Sequence, residues 1–278
     1  MGIYTQPNAW LCGPFALKHA LLLLGIRADE HELAALAGTT EEGTDEEELA
    51  RAAGRFGCTL GTSRYMDAES CHRALMAYVA DGIPTLLCIE QWDHWVTAAH
   101  EDDGTFVILD SRHPAVFRLL PWEYLRKLLV FHPGSGSATT GIYDLHPLVA
   151  PESRRLKPAL SVARARFVQE WEHRDIARDW LGLLDDALSF AEQVAEDADP
   201  RGSLSPGSFF GRHEPDLLDA VSATNDALQR SRARSELRAL RFIADVYGLR
   251  IPATGQREAL EHLRAITQRR MGREGTAR

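Results

Sequence analysis

The first residue of this chain that could carry out chemistry is a cysteine near its amino terminus. Cys12 directly precedes Gly13 and Pro14, and an apolar run follows to Leu24 and ends at Gly25. This run predicts a buried helix that ends at the glycine and begins at or just after Cys12. At a helix amino terminus, unpaired N–H groups and the helix dipole stabilise a thiolate. Cys12 is therefore a candidate nucleophile for attack on a carbonyl carbon.

A histidine and an aspartate on two predicted strands are candidate partners for this thiol. His94 begins one apolar strand and Asp110 ends the next, with the hairpin signal Glu101-Asp102-Asp103-Gly104 between them. A loop of three or five residues would place both side chains on one face of the hairpin, and a five-residue loop at 100–104 would place them directly opposite each other. The carboxylate would then orient the imidazole as a general base. His100 is the alternative base, since it is predicted to lie on the same face.

A glutamine upstream of the cysteine completes the candidate site. The side-chain amide of Gln6 could stabilise an oxyanion together with the backbone N–H of Cys12. Each residue also has a structural interpretation. Cys12 could be an ordinary core cysteine, His94 a buried sheet histidine, Asp110 a strand cap, and Gln6 a turn residue.

Taken together, these residues resemble those of a known family. Gln6, Cys12-Gly13-Pro14, the run Asp93-His94-Trp95-Val96 and Asp110 occur in the order and spacing of the bacteriocin-processing cysteine peptidases, which are papain-like enzymes that cleave leader peptides after a double glycine. The resemblance covers about residues 1–145. It implies that Cys12 is the nucleophile, His94 the general base and acid, Asp110 the orienting group and Gln6 the oxyanion donor. Many members are domains of membrane transporters, and in many a proline follows the aspartate, whereas Ser111 follows it here.

The remaining cysteines give no sign of a metal site or a disulfide framework. Cys58, Cys71 and Cys88 lack paired CxxC spacing, and we interpret them as core residues. A zinc site built on Cys71 and His72 would need a second ligand pair, and the sequence offers none at the usual spacing. We expect neither a metal nor a cofactor.

Composition limits the possible partners. The 278 residues carry a formal net charge of -9 and are 45% hydrophobic, as in a globular protein. Residues 1–150 contain 10 Lys and Arg against 20 Asp and Glu, so nucleic acid is not the expected partner of this half. We expect a peptide or protein substrate, no membrane span and, without a signal peptide, a cytoplasmic location.

The pattern of elements predicts an α+β fold in two domains. Residues 1–147 are expected to form a papain-like cysteine peptidase domain, with helices first and a small antiparallel sheet second, and residues 148–278 an all-α domain. Helices are predicted at 158–198, 216–247 and 254–270, with a loop at 200–214 and a Ser/Gly-rich lid or linker at 133–141. Phe209 and Phe210 are expected to be exposed in that loop, where they could dock on the catalytic domain. Self-association or partner binding through the helical domain is a further possibility.

These features lead to one main functional hypothesis and two alternatives. The first is hydrolysis of a peptide or isopeptide bond through a Cys-His-Asp triad and a thioester acyl-enzyme. The second is a papain-like acyltransferase or transglutaminase-type enzyme that uses the same triad with an amine acceptor. The third is a binding module that acts through its helical domain and has lost catalysis.

Overall fold

A computed structural model describes residues 2–133, 141–151, 156–170, 173–193, 202–221 and 227–273. The chain forms two compact units. The first is Ile3–Glu170, and the second is Trp171–Arg278 together with Met1–Gly2. The α+β class predicted from the sequence is confirmed, because helices and an antiparallel sheet both build the first unit.

Helices dominate the first part of the first unit. They are α1 (Cys12–Leu23), α2 (Glu30–Ala37), α3 (Glu46–Arg55) and α4 (Ala68–Ala80), and later α5 (Trp122–Leu129) and α6 (Val162–Gln169). Every residue of α1 is buried. Asp45 and Glu48 form a reciprocal capping box at the start of α3. α1 therefore occupies the centre of the unit, with α2 and α3 packed beside it.

The sheet is antiparallel throughout the described residues. Its strands are β1 (Thr59–Leu60), β2 (Ser63–Tyr65), β3 (Thr85–Ile89), β4 (His94–Asp102), β5 (Thr105–Leu109), β6 (Phe117–Pro121) and β7 (Tyr143–Val149). The order is β1-β7-β3-β4-β5-β6, with β2 also paired to β7. One apolar cluster joins the sheet to α1, α2 and α3, and a second joins it to α4 and α5. The sheet is thus covered by helices on two sides.

The hairpin between β4 and β5 differs from the one predicted. Its loop is the two-residue turn Asp103-Gly104, both with positive φ, so the prediction of a loop of three or five residues was wrong. A β-bulge between Ala98 and His100 then shifts the register by one residue. Without this bulge, Asp110 would extend β5 opposite Thr97. With it, Asp110 falls opposite Val96 and shares a face with His94.

The second unit was expected to be all-helical, but it also contains strands. It contains α7 (Arg174–Arg178), α8 (Trp180–Leu188), α9 (Pro206–Val221), α10 (Ala227–Val246) and α11 (Gln256–Arg273), with a short sheet of β8 (Glu192–Gln193), β9 (Ser203–Leu204) and β10 (Leu249–Pro252) in the order β8-β10-β9. α9 replaces most of the loop predicted at 200–214. Phe209 and Phe210 are only 0% and 2% exposed, so the expected exposure was wrong: they lie on a helix and belong to the core. In the described residues no helix has the length and apolarity to cross a membrane.

The division between the units falls later than the boundary expected after residue 147. β7 continues to Val149 and pairs with β1 and β3, so a boundary at 147 would cut a strand. α6 also belongs to the first unit, where Gln169 Nε2 donates to the carbonyl of Phe117 at 2.8 Å. Most of the Ser/Gly-rich segment, residues 134–140, lies outside the described residues.

Candidate active site

Cys12 is the first residue of α1, as the sequence predicted. Its side chain is buried, and the first turn of the helix packs tightly against the segment that leads into α3. A Cβ at Gly13 would lie 3.1 Å from Thr44 Cβ and 3.3 Å from Leu49 Cδ2. The glycine thus permits a close approach that fixes the position of the thiol.

His94 and Asp110 form a buried hydrogen-bonded pair. His94 Nε2 lies 2.7 Å from Asp110 Oδ1, and the two residues are 1% and 3% exposed. The other ring nitrogen, Nδ1, is buried and has no hydrogen-bond partner of ordinary geometry among the described residues. Besides Asp110, the thiol of Cys12 interacts directly with this ring, and Arg112 acts on it through its charge. The imidazole is therefore held through Nε2, with Nδ1 left for the thiol.

Asp110 is held by two further donors. Arg118 Nη1 donates to Oδ2 at 2.8 Å, and the backbone N–H of Arg112 donates to Oδ1 at 3.0 Å. Burial raises the pKa of Asp110, but hydrogen bonds from His94 and Arg118 outweigh it and hold the pKa well below its usual range. The carboxylate is therefore charged at any physiological pH. The sequence analysis missed Arg118. Its signal is a lone charge in the apolar strand β6, at a position paired with Ile108.

The surroundings shift the pKa values of Cys12 and His94 toward each other. Burial raises the pKa of the Cys12 thiol, but interactions with His94 and with the backbone N–H of Trp95 give a net lowering. Burial lowers the pKa of His94, but the hydrogen bond with Asp110 and the interaction with Cys12 give a net increase. Both shifts favour a thiolate beside an imidazolium, the reactive form of a cysteine nucleophile.

A strained turn leads into His94. Glu90, Gln91 and Trp92 have φ values of 57, 60 and 66°, a conformation that costs a non-glycine residue about 1–2 kcal/mol. The segment after α5 holds this turn in place. The N–H of Glu90 donates to Leu128, Gln91 exchanges hydrogen bonds with Val130 and His132, and Trp92 stacks on Phe131 at 3.7 Å between ring centroids. These contacts fix the backbone up to two residues before the histidine.

Gln6 lies in the same cleft, but its amide is engaged locally. Gln6 Nε2 donates to the carbonyls of Asn8 and Ala9 at 2.7 and 3.1 Å. Its Oε1 accepts from Ser111 Oγ at 2.6 Å, and its backbone N–H donates to the Ser111 carbonyl at 2.9 Å. Ser111, which the sequence analysis did not select, thus connects Gln6 to the loop that carries Asp110.

Cys12 and Gln6 border an open cleft of about 430 Å³. Its walls include Gln6, Trp10, Cys12, Glu42 and Arg112. Arg112 pairs with Glu90 at 3.0 Å across the turn that precedes His94. Cys12 is therefore buried among protein atoms and yet reachable from a cleft that could admit an extended chain.

The structure separates the other candidates from this site. The bulge in β4 pairs His100 with Val107 and turns it to the face opposite His94, so the prediction that both share a face was wrong. Cys71 is fully buried and His72 stacks on Trp122. Cys58 and Cys88 are also buried. No group of three His, Cys, Asp or Glu residues in the described part of the chain could hold a metal ion.

The fold and the site together define an α+β protein in which a cysteine at a helix amino terminus meets a histidine and an aspartate from one sheet. An uncharacterised protein of Methanothermobacter marburgensis is 32% identical over 117 residues, which are 42% of this chain and 74% of the relative. The chain belongs to the same family as this archaeal protein. No protein-family model matches the chain.

Solved structures similar to this chain are peptidase domains. The peptidase domain of Streptococcus ComA, a bifunctional ABC transporter involved in quorum sensing, is 19% identical, with 52% of this chain and 98% of that chain covered and a TM-score of 0.39. A double-glycine motif protease from an AMS/PCAT transporter, solved with its leader peptide, is 17% identical over 52% and 90% of the two chains, with a TM-score of 0.39. A C39-like peptidase from Bacillus anthracis is 12% identical over 54% and 94%, with a TM-score of 0.38.

Proposed function

We propose that the unit Ile3–Glu170 is a cysteine peptidase that hydrolyses a peptide or isopeptide bond. The observation that carries the proposal is the buried pair of His94 and Asp110 beside the thiol of Cys12. A buried imidazole with a carboxylate on one nitrogen and a thiol at the other is the arrangement that activates a cysteine. The resemblance of the sequence motifs to bacteriocin-processing peptidases directs the proposal to peptide bonds.

The mechanism follows from these roles. The Cys12 thiolate attacks the carbonyl carbon, and the protonated His94 gives its proton to the leaving amine as the C–N bond breaks, which leaves a thioester. His94 then removes a proton from water, the hydroxide attacks the thioester, and the acid product and the thiolate are released. Asp110 stabilises the imidazolium throughout and stays ionised.

The oxyanion is assigned to Gln6 and the backbone N–H of Cys12. In the structure, Gln6 Nε2 donates to the carbonyls of Asn8 and Ala9. To donate to the developing oxyanion, the side chain must break at least the 3.1 Å hydrogen bond to Ala9. Loss of one oxyanion donor lowers kcat by about 10²–10³ in well-studied hydrolases. Gln6→Ala should therefore lower kcat with little change in KM.

Selective alkylation of Cys12 tests the proposal. Iodoacetamide at pH 6 should modify one thiol per chain, because the pKa of Cys12 is lowered, whereas burial raises the pKa of Cys71 to about 12 and also raises that of Cys88. His94→Ala should slow this reaction at least about tenfold, and Cys12→Ser should remove it. Mass spectrometry of the labelled peptide identifies the site. A Cys12 that reacts no faster than a free thiol, or equally fast without His94, would refute the activated thiolate.

A further inference from the structure

A second cavity adjoins the cleft that contains Cys12 and has no part in the mechanism above. It measures about 440 Å³, and Glu42 and Gly43 belong to the walls of both spaces. Its other walls come from the start of α3 and from β2, β3, β4 and β7. A chain bound across Cys12 could therefore place a side chain in this cavity.

Negative charge predominates in the cavity. Five carboxylates line it: Glu42, Asp45, Glu46, Glu48 and Asp144. The one arginine in its walls, Arg64, is neutralised by two hydrogen bonds to Asp144 at 2.8 and 2.7 Å. Asp45 and Glu48 accept backbone N–H groups in the capping box. The carboxylates of Glu42 and Glu46 have neither a hydrogen bond nor an ion pair within the described part of the chain.

Aromatic rings form another part of the walls. Trp95 is fixed by a 2.9 Å hydrogen bond from Nε1 to the carbonyl of Thr44, and Trp92 by its stacking on Phe131. The guanidinium of Arg64 lies 5.5 Å from the centroid of Trp92. The protein's own arginine thus already uses an indole and a carboxylate at this cavity, the pair of groups that binds a guanidinium well.

A buried polar side chain also lines the cavity. His146 is 2% exposed, and its Nδ1 lies 3.1 Å from Thr62 Oγ1. Its Nε2 has no hydrogen-bond partner in the residues that the structure describes. Burial lowers the pKa of His146, so the ring is neutral and adds no positive charge. With its proton on Nδ1, donated to Thr62, the ring offers Nε2 as an acceptor.

We propose that this cavity is a specificity pocket for a cationic side chain of the substrate, arginine above all, and that Glu46 is its main carboxylate. The proposal rests on the peptidase function proposed above, because it assigns the substrate class of the same cleft. A planar guanidinium can stack on an indole face and pair with a carboxylate at the same time, whereas an ammonium group cannot stack on the ring. Glu46 is available to pair with it, since its carboxylate forms no hydrogen bond or ion pair among the described residues and acts on Arg64 only through longer-range charge attraction.

Peptide binding to the Cys12→Ala variant tests the pocket without requiring catalysis. The probes are peptides with one arginine moved along an alanine and leucine background, each paired with a peptide that carries neutral citrulline at the same position. We expect at least one arginine peptide to bind about tenfold more tightly than its citrulline partner, as measured by calorimetry. Adding Glu46→Gln should reduce this ratio at least about threefold.

Glu47→Gln is the matched control. Glu47 lies in the same first turn of α3 and carries the same charge, but it does not line the cavity. Equal binding of arginine and citrulline at every position, or an equal effect of Glu46→Gln and Glu47→Gln, would overturn the pocket. Alkylation of Cys12 reports separately on the proposed peptidase, so selective arginine binding with an inert Cys12 would refute the catalysis and leave the pocket standing.

Discussion

Asp110 is the residue on which the geometry of the candidate site converges. It accepts hydrogen bonds from the His94 ring, the Arg118 guanidinium and the backbone N–H of Arg112. Its charge raises the pKa of His94, and it fixes which ring nitrogen remains for Cys12. The residue with the largest effect on the imidazole is therefore one that does not line the cleft.

Asp110→Asn should change the pH dependence of Cys12 alkylation. The lowered pKa of Cys12 and the raised pKa of His94 both favour the thiolate–imidazolium pair, which is lost when His94 gives up its proton as pH rises. Without the carboxylate, the pKa of His94 falls, so the pair should disappear at a lower pH than in the wild type, and the rate near neutral pH should fall at least about tenfold. Rates measured from pH 4 to about pH 10 provide the check.

The neighbouring Asp93 is the control for this variant. Asp93 directly precedes His94, and its side chain is 79% exposed. Asp93→Asn should leave the profile almost unchanged, because an exposed charge is screened by solvent. If Asp110→Asn does not shift the pH profile of Cys12 alkylation, or if both variants shift it equally, Asp110 does not control the pKa of His94.

Residue types and spacing identified the four candidates, but their partners were harder to predict. Ser111 contacts Gln6 across 105 positions, and Arg118 reaches Asp110 from the next strand, eight residues further on. Their own neighbourhood predicts only a loop residue and a strand residue. Gln6 shows the same limit, since the sequence suggested a donor near Cys12 but gave no indication of its bonds to Asn8 and Ala9. Partners of this kind depend on tertiary packing.

At the scale of the element, α1 carries a charge inside the core. Lys18 Nζ lies 2.7 Å from Oε2 of Glu30 in α2, and both side chains are 5% exposed. The Tyr4 hydroxyl also donates to Glu30. Burial raises the pKa of Glu30, but Lys18 and Tyr4 lower it to about 2. The pair connects the helix that begins with Cys12 to its neighbour.

Lys18→Met should destabilise the protein by about 3 kcal/mol at pH 7, because Glu30 would remain charged and buried without its partner. The loss should shrink toward pH 4. Glu30 contributes stability above its unfolded pKa of about 4.3 and loses it as pH falls through its folded pKa. Without Lys18 this folded pKa rises, so mild acid protonates and neutralises the residue.

Urea unfolding of the variant at pH 7 and pH 5 measures the effect. The double variant Lys18→Met/Glu30→Gln is the control, since it removes both charges and should recover part of the lost stability. Equal destabilisation by the single and double variants at both pH values would show that the buried charge of Glu30 is not the cause.

The hairpin of β4 and β5 shows why elements are easier to predict than their register. Both strands follow from their apolar residues, and Asp103-Gly104 is an ordinary turn signal. The bulge at Ala98–His100 has no such signal, because none of its residues is unusual for a strand. The predicted loop of three or five residues placed His94 and Asp110 on a common face, which is correct, but it did so through the wrong register. The same prediction placed His100 on that face, which is wrong.

At the scale of the whole molecule, the chain forms two units whose division the sequence located only approximately. Proline and alanine near residue 147 suggested a boundary, although β7 runs through that point to Val149. Helix α6 then packs on the sheet, so the first unit extends to Glu170. Composition could not show this, because α6 follows a Pro-rich stretch and has the polar surface of a linker helix.

Two fragments test the extent of the first unit. Residues 1–170 should fold and keep the selective reaction of Cys12, whereas residues 1–147 should not, because the shorter fragment ends within β7 and lacks α6. The shorter fragment loses the pairs Thr59–Val149 and Leu60–Leu148 and the hydrogen bond from Gln169. Circular dichroism and alkylation distinguish the outcomes. Cooperative unfolding of both fragments with equal thiol reactivity would contradict the boundary at 170.

The bulge in β4 also limits how the length of this chain can vary among relatives. Side chains alternate between the two faces of a sheet along a strand. A gain or loss of one residue between His94 and Asp110 would therefore turn the two side chains to opposite faces, whereas a change of two residues would keep them on the same face. Sixteen positions separate the two residues here. Among relatives that keep the reaction, we therefore expect this interval to vary in steps of two, or in single steps only where a bulge appears or disappears with them.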